Sequence, residues 1–134
     1  MKLYFKNNFL VLSYNRETRL GKAQWRGQLQ GAELREAYLL CLEMANRFSL
    51  VRWLADDRKM GAICPADLEW SLQEYIPRVA QGSLLRMARL PSIFEENLQA
   101  VGVMVRKGHT YDLNLAFRDF KTEEEAMAWL MEPL

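Results

Sequence analysis

The sequence predicts an α/β fold with a mostly parallel sheet of about five strands and about four or five helices. The chain begins with two β-rich runs separated by a turn signal, which predict an N-terminal β-hairpin. Apolar strand candidates then alternate with amphipathic helices, the order that is typical of a parallel sheet. The connections are short and there is no internal repeat or linker, so residues 1–134 are predicted to form one domain.

The first two strands are predicted at residues 3–5 and 9–14, which are rich in aromatic and aliphatic side chains. The polar sequence K-N-N between them supplies the turn. The segment from residue 15 to residue 31 is polar and contains three glycines, so we expect a connection without regular structure. Trp25 interrupts this segment. We expect it to fold back onto the core, with a place in a surface groove as the alternative.

A helix, a strand and a second helix follow the connection. From residue 32 to residue 48, apolar side chains recur at steps of three and four, which predicts an amphipathic helix with Cys41 on its buried face. Residues 50–55 predict a buried strand that ends at the acidic pair behind it. Pro65 suits the first turn of the next helix, and Pro77, which has no backbone N–H, is expected to kink or restart that helix.

Two further βα units complete the predicted order β-β-α-β-α-β-α-β-α, with right-handed crossovers between parallel strands. Residues 84–90 predict a buried strand, and Ser92 begins a capping box for a helix that ends near residue 106. Residues 111–117 alternate apolar and polar side chains, as the last strand would. Thr122 begins a second capping box, for the final helix.

Composition excludes several classes of function. The chain has 18 basic and 17 acidic residues, well mixed, for a net charge of +1. A dominant phosphate-binding surface needs clustered excess cations, so we expect no nucleic-acid partner. No apolar run approaches the roughly 18 residues that span a bilayer, and no secretory signal is evident. We therefore expect a reduced, cytoplasmic protein without a membrane span.

Signatures of cofactors and catalytic centres are missing from the sequence. The two cysteines lack C-x-x-C spacing and the single histidine is distant in sequence, which argues against a metal site. There is no glycine-rich loop after a strand and no G-x-S-x-G motif, so neither a dinucleotide site, a P-loop nor a serine nucleophile is indicated. We expect no cofactor and assign no catalytic residue.

The end of the strand at residues 50–55 is the place where function is expected. In open α/β sheets, ligands bind at the carboxyl ends of the strands. Exposed aromatic and arginine side chains are also the usual anchors of protein interfaces. The candidate interaction or ligand rim comprises Trp25, Asp56, Asp57, Arg58, Lys59, Met60 and Trp70.

The two adjacent carboxylates in this rim have more than one interpretation. Neighbouring residues of a strand point to opposite faces, so Asp56 and Asp57 are not expected to act as a pair. One interpretation is structural, with one of them paired to a nearby arginine. The other is a weak cation site formed by Asp57 and Asp119, which with His109 would suit a hydrolase or metal enzyme.

Several short motifs resemble bacterial SpoIIAA-like proteins of unassigned function, and the resemblance covers nearly the whole chain. The SpoIIAA-like fold is that of STAS domains and of the C-terminal lobe of CRAL-TRIO lipid-transfer proteins. The motifs are W-x-G at 25–27, W-L-A-D-D-R at 53–58, the helix containing Trp70, M-A-R-L at 87–90 and F-K-T-E-E-E-A-M-A-W-L at 120–130.

This resemblance implies a SpoIIAA-like fold and offers two mechanisms. STAS anti-sigma-factor antagonists are switched by phosphorylation of a serine or threonine after the strand that matches residues 50–55. Residues 56–64 contain no hydroxyl side chain, so the usual phosphorylation switch is not expected here. The CRAL-TRIO lobe implies a lipid held in an apolar cavity.

The preferred hypothesis is a non-enzymatic, cytoplasmic regulatory domain that binds a partner protein or a second copy of itself as a homodimer. The absence of catalytic groups and the tryptophan, methionine and arginine residues of the rim support it. The alternative is a carrier of a lipid or another apolar small molecule.

Overall fold

The computed structural model describes residues 1–111 and 114–134 and contains a six-stranded sheet whose strands lie side by side in sequence order. The strands are β1 (Lys2–Lys6), β2 (Leu10–Asn15), β3 (Leu20–Gly27), β4 (Arg52–Met60), β5 (Arg86–Leu90) and β6 (Ala116–Asp119). The helices are α1 (Ala32–Arg47), α2 (Pro65–Trp70), α3 (Ile76–Gln81), α4 (Glu95–Gly108) and α5 (Glu123–Leu130), and a π-helical turn (Ser71–Tyr75) joins α2 to α3.

The sheet is antiparallel at one edge and parallel across the rest. β1 pairs with β2 and β2 with β3 in antiparallel fashion, whereas the three pairings from β3 to β6 are parallel. The first turn is fixed by Asn7, whose side-chain oxygen accepts the backbone N–H groups of Phe9 and Leu10, each at 2.8 Å. The predicted α/β class, the hairpin and the mostly parallel sheet are confirmed.

The segment predicted as an irregular connection contains a strand, so that prediction is wrong. β3 lies in the sheet between β2 and β4, and Trp25 belongs to it. Gly21 obscures the alternation because it takes an inward position where a Cβ would lie 2.7 Å from the Trp53 ring. The glycine that suggested a turn therefore marks a close approach between neighbouring strands.

The strand predicted to end before Asp56 continues to Met60, which corrects the predicted loop. Gln24 of β3 pairs with Asp56, but Arg26 pairs with Lys59, so β4 carries one extra residue in this interval. Such an extra residue is a β-bulge, which changes the face that the following side chains meet.

Beyond the bulge, β4 is tied to the segment that follows β5 by side-chain hydrogen bonds. The Ser92 hydroxyl donates to the Met60 carbonyl at 2.7 Å, and the Asn97 amide donates to the Gly61 carbonyl at 2.9 Å. The predicted capping role of Ser92 is therefore wrong, because α4 begins only at Glu95. The bond from Ser92 satisfies a strand carbonyl instead.

The other helix signals behave as expected in most places. Pro77 lies at the start of α3, directly after the π-helical turn, so the predicted interruption is confirmed. Thr122 accepts the backbone N–H of Glu125 at 3.2 Å, which confirms it as the cap of α5. The last strand begins later than predicted, at Ala116; residues 112 and 113 of the predicted span lie outside the described residues.

Two clusters of buried side chains cover the two faces of the sheet. The larger one joins β2, β3 and β4 to α1 and α4, and it includes Cys41, as predicted. The smaller one packs α5 against the opposite face and contains Leu20, Leu54, Ala88, Leu90, Ala126 and Leu130. In the part of the chain that the structure describes, no helix has both the length and the hydrophobicity to cross a bilayer.

Candidate functional site

A cavity of about 260 Å³ lies between the sheet and the layer formed by α1, α3 and α4. Most of its wall is apolar and six aromatic side chains contribute to it: Trp25, Tyr38, Trp53, Tyr75, Tyr111 and Phe117. The cavity reaches the surface at the end of α4, since His109 lines it and is also exposed. It is therefore an apolar chamber with an opening beside the parallel edge of the sheet.

Ring contacts fix the aromatic wall. Trp25 of β3 meets Tyr38 of α1 edge-on, with 5.3 Å between ring centroids. Tyr38 in turn stacks on Tyr75 at 4.2 Å with the planes only 8° apart. Tyr75 is the last residue of the π-helical turn, so this irregular turn sets the position of one wall of the cavity.

Asp57 places a carboxyl group in the apolar chamber. Its side chain is buried and, among the described residues, has no hydrogen-bond or ion-pair partner. Burial raises the pKa of Asp57 from 3.8 to about 7; the nearby Arg89 charge opposes that rise, while Asp56 and Asp119 add to it. The carboxyl therefore loses or gains its proton near neutral pH.

The β-bulge explains why Asp57 and Met60 share this cavity. They are three positions apart, so a regular strand would turn them to opposite faces of the sheet. Both line the cavity because β4 has an extra residue between Asp56 and Lys59. Strand bulges commonly redirect side chains next to functional sites in this way.

Arg89 of β5 is the second charged group of the cavity wall. It is only 7% exposed and holds Asp119 of β6 through two hydrogen bonds, from Nε and Nη2, each 2.8 Å long. Its guanidinium carbon lies 5.4 Å from the centre of the Phe117 ring. The remaining nitrogen, Nη1, is buried and has no hydrogen-bond partner among the described residues.

The sequence suggested that Asp119 and Asp57 could form a weak cation site. In the structure, both oxygens of Asp119 accept hydrogen bonds from Arg89 instead. A carboxylate with both oxygens on a guanidinium is poorly placed to bind a metal ion at the same time. Among the residues that the structure describes, no three histidine, cysteine or acidic side chains come together in a way that suits a metal ion.

Three of the seven residues of the predicted rim line the cavity, and the other four do not. Trp25, Asp57 and Met60 are buried and line the cavity. Asp56 is also buried but lies on the other face of the strand, where Arg58 donates to it at 2.9 and 2.8 Å. Those bonds outweigh the effect of burial and hold the pKa of Asp56 below its usual value.

The remaining two residues of the rim do not reach the cavity. Lys59 is exposed, and Trp70 is half-buried under the Arg35 guanidinium, 5.6 Å from its ring. Sequence reasoning missed Arg89, Tyr38 and Tyr75, because their meeting depends on how strands and helices pack. An arginine inside the otherwise apolar run M-A-R-L was the one signal available for Arg89.

Comparison with known proteins identifies the fold. No protein-family model matches the chain, and neither does any curated protein sequence. The chain is similar to the crystal structure of an uncharacterized protein of the DUF3478 family with a SpoIIAA-like fold, from Shewanella loihica PV-4. The TM-score is 0.60 and the sequence identity 13%, over 95% of this chain and 99% of that one. The chain therefore has a SpoIIAA-like fold, as its motifs predicted.

Proposed function

We propose that this protein is a non-enzymatic binding protein that holds an apolar small molecule in the cavity between the sheet and α1, α3 and α4. The observation that carries the proposal is the aromatic and aliphatic chamber itself. Protein interiors leave few voids larger than a water molecule, and small-molecule pockets start at roughly 300 Å³. A cavity of about 260 Å³ is therefore much closer in volume to a small-molecule pocket than to a packing void.

The ionisable groups of the wall support binding rather than nucleophilic chemistry. Burial raises the pKa of the Cys41 thiol, and the Asp57 charge raises it further, so the unreactive thiol form prevails at neutral pH. Burial likewise raises the pKa of Tyr38 and Tyr75 well above their usual value. These side chains offer surface and weak hydrogen bonds to a ligand, without an activated nucleophile.

This proposal favours the alternative of an apolar carrier over the preferred hypothesis of partner binding. Trp25 and Met60, which were expected to anchor a protein interface, are buried in the cavity wall. Partner binding or self-association stays a prediction. Ile93 and Phe94, which follow β5, are apolar side chains on the surface, with exposed fractions of 79% and 45%.

A matched pair of variants in α4 tests the proposal. Val101 lines the cavity and Val103 does not, although both are half-buried. Freshly purified protein should retain a small molecule in native mass spectrometry, and apolar probes such as naphthalene or indole should raise its melting temperature. Val101→Trp should abolish both effects by filling the chamber, whereas Val103→Trp should keep them. Failure of every apolar probe to bind the unaltered protein would refute the proposal.

A further inference from the structure

We propose that the cavity selects a ligand that joins a cationic amine to an apolar body, with the amine bound at Asp57. This inference rests on the proposed function, because it names the class of apolar molecule that the chamber accepts. It follows from the buried Asp57 carboxyl, which has no ion-pair partner among the described residues, and from the aromatic wall around it.

Among the described residues of the cavity wall, Asp57 is a charged side chain without an ion-pair partner, whereas Arg89 is paired with Asp119. Arg89 and Asp119 form a two-bond ion pair, so Asp119 offsets part of the attraction that the Arg89 charge exerts on Asp57. Asp57 faces the same chamber and, within the described residues, has no hydrogen-bond or ion-pair partner, although the Arg89 charge is near enough to attract it. A buried carboxylate without a partner is costly, and a bound ammonium group would supply the partner that it lacks.

The aromatic wall favours the same ligand charge. Trp25, Tyr38, Trp53 and Tyr75 line the same cavity as Asp57, and aromatic rings attract a cation that lies over their faces. The body of the ligand gains from apolar burial and its amine from both the rings and the carboxylate. Together, these contacts form a site for an arylalkylamine or alkylamine rather than for a neutral hydrocarbon.

An anionic ligand fits less well, although Arg89 Nη1 has no partner among the described residues. Asp119 already occupies two nitrogens of the guanidinium. A ligand carboxylate at Nη1 would therefore be a third acidic group near one cation, beside Asp57. Repulsion among these acids would oppose its binding.

Binding of the amine should depend on the ionisation of Asp57. The described titratable or charged groups that line the cavity with Asp57 are Tyr38, Cys41, Tyr75, Arg89, His109 and Tyr111, and the charges of Asp56 and Asp119 act on it from outside the cavity. Tyr38, Tyr75 and Cys41 are neutral near pH 7 because burial raises the pKa of each. In acid, Asp57 must release its proton before it can pair with the ammonium, so the amine should bind more weakly there.

Three probes that share a 2-phenylethyl group and differ in the polar group test the inference by titration calorimetry: 2-phenylethylamine, 2-phenylethanol and 3-phenylpropionate. At about pH 8 the unaltered protein should bind the amine at least about tenfold more tightly than the alcohol, and the acid most weakly. Asp57→Asn should lower the affinity for the amine to that for the alcohol. Asp56→Asn is the control, because Asp56 lies on the other face of the sheet, and it should keep the preference.

The outcomes separate this inference from the proposed function. If the alcohol binds as tightly as the amine, or if the preference survives Asp57→Asn, the amine inference is overturned and apolar binding stands. If no probe binds the unaltered protein, both fail. Should Asp57→Asn not fold, the ratio of amine to alcohol affinity in the unaltered protein must fall between about pH 8 and about pH 5.5. A constant ratio overturns the inference.

Discussion

At the scale of single residues, Asp57 makes the stability of the empty protein depend on pH. Its pKa rises from 3.8 to about 7 on folding, because burial disfavours the charged form. Between these values the folded protein binds more protons than the unfolded chain, so the free energy of unfolding should fall as pH rises from about 4 to about 7. Asp57→Asn should remove this loss, on the order of 4 kcal/mol, as measured by urea unfolding across that range.

Asp56→Asn provides a control, because Asp56 should change the free energy of unfolding with pH in the opposite direction to Asp57. Hydrogen bonds from Arg58 hold the pKa of Asp56 below its usual value despite the effect of burial. Ionised Asp56 stabilises the folded protein at pH values above the usual carboxyl pKa, and this stabilisation is lost as the pH falls through the lowered pKa of Asp56. The variant should therefore be less stable than the unaltered protein at neutral pH and equal to it in acid. The same pH profile for both variants would contradict our assignment of the two environments.

Gly21 is a residue whose side chain is excluded by its neighbours. A Cβ at this position would lie 2.7 Å from the Trp53 ring and 2.8 Å from Leu50, which are both buried. Gly21→Ala should lower the free energy of unfolding by about 1–3 kcal/mol, since the core has no room to adjust. The measurement is denaturant unfolding monitored by tryptophan fluorescence.

Gly102 offers the matched substitution on a helix. Among the described residues, a Cβ there meets just the end of the Arg106 side chain, at 3.5 Å. Gly102→Ala should raise stability by up to about 1 kcal/mol, because alanine favours the helix. Equal effects of the two substitutions would show that close packing does not explain Gly21.

At the scale of elements, two arginines attach α5 and the residues after it to the sheet. Arg52 donates to the Leu130 carbonyl at 2.6 Å, and Arg86 donates to the Pro133 carbonyl at 2.7 Å. The Arg86 guanidinium also lies 5.9 Å from the centre of the Trp129 ring. These contacts fasten the end of the chain to β4 and β5.

Arg86→Ala should loosen this attachment. Carbonyls at the end of α5 would lose their donor, so limited proteolysis should cut the last ten or so residues faster than in the unaltered protein. Arg78→Ala is the control, since Arg78 makes an exposed pair with Glu74 in which both side chains are about half exposed. Equal cleavage rates in the two variants would count against an anchoring role for Arg86.

Elements with a strong local period were predictable from the sequence, and elements that depend on their neighbours were not. α1 follows from apolar residues at steps of three and four, and it was placed within a residue of its observed end. β3 was missed because Gly21, the glycine that suggests a turn, is required by the Trp53 ring. The outer part of β4 was missed because its charged side chains suggest a loop, although Asp56 and Arg58 neutralise each other.

At the scale of the whole molecule, the sequence located one wall of the candidate site but not the chamber. Asp57 and Met60 were singled out because a strand was predicted to end just before them, and Trp25 because it is an aromatic residue in a predicted connection; all three line the cavity. Tyr75 and Arg89 come from distant parts of the chain, and only the packing of the π-helical turn against β5 and its neighbours brings them to the same space. A pattern within one segment contains no information on such a meeting.

The outer end of β4, beyond Asp56, also has a dynamic consequence for the whole fold. Residues 52–56 are paired on both sides, with β3 and with β5, whereas beyond Asp56 the regular ladder continues only with β3. On the other side, that end of the strand is held by the side-chain hydrogen bonds from Ser92 and Asn97 and by a long backbone bond, 3.5 Å, from the Ile93 N–H to the Arg58 carbonyl. Amide hydrogen exchange should therefore be slow at Leu54 and faster at Lys59, so that the cavity wall can open locally while the centre of the sheet stays closed.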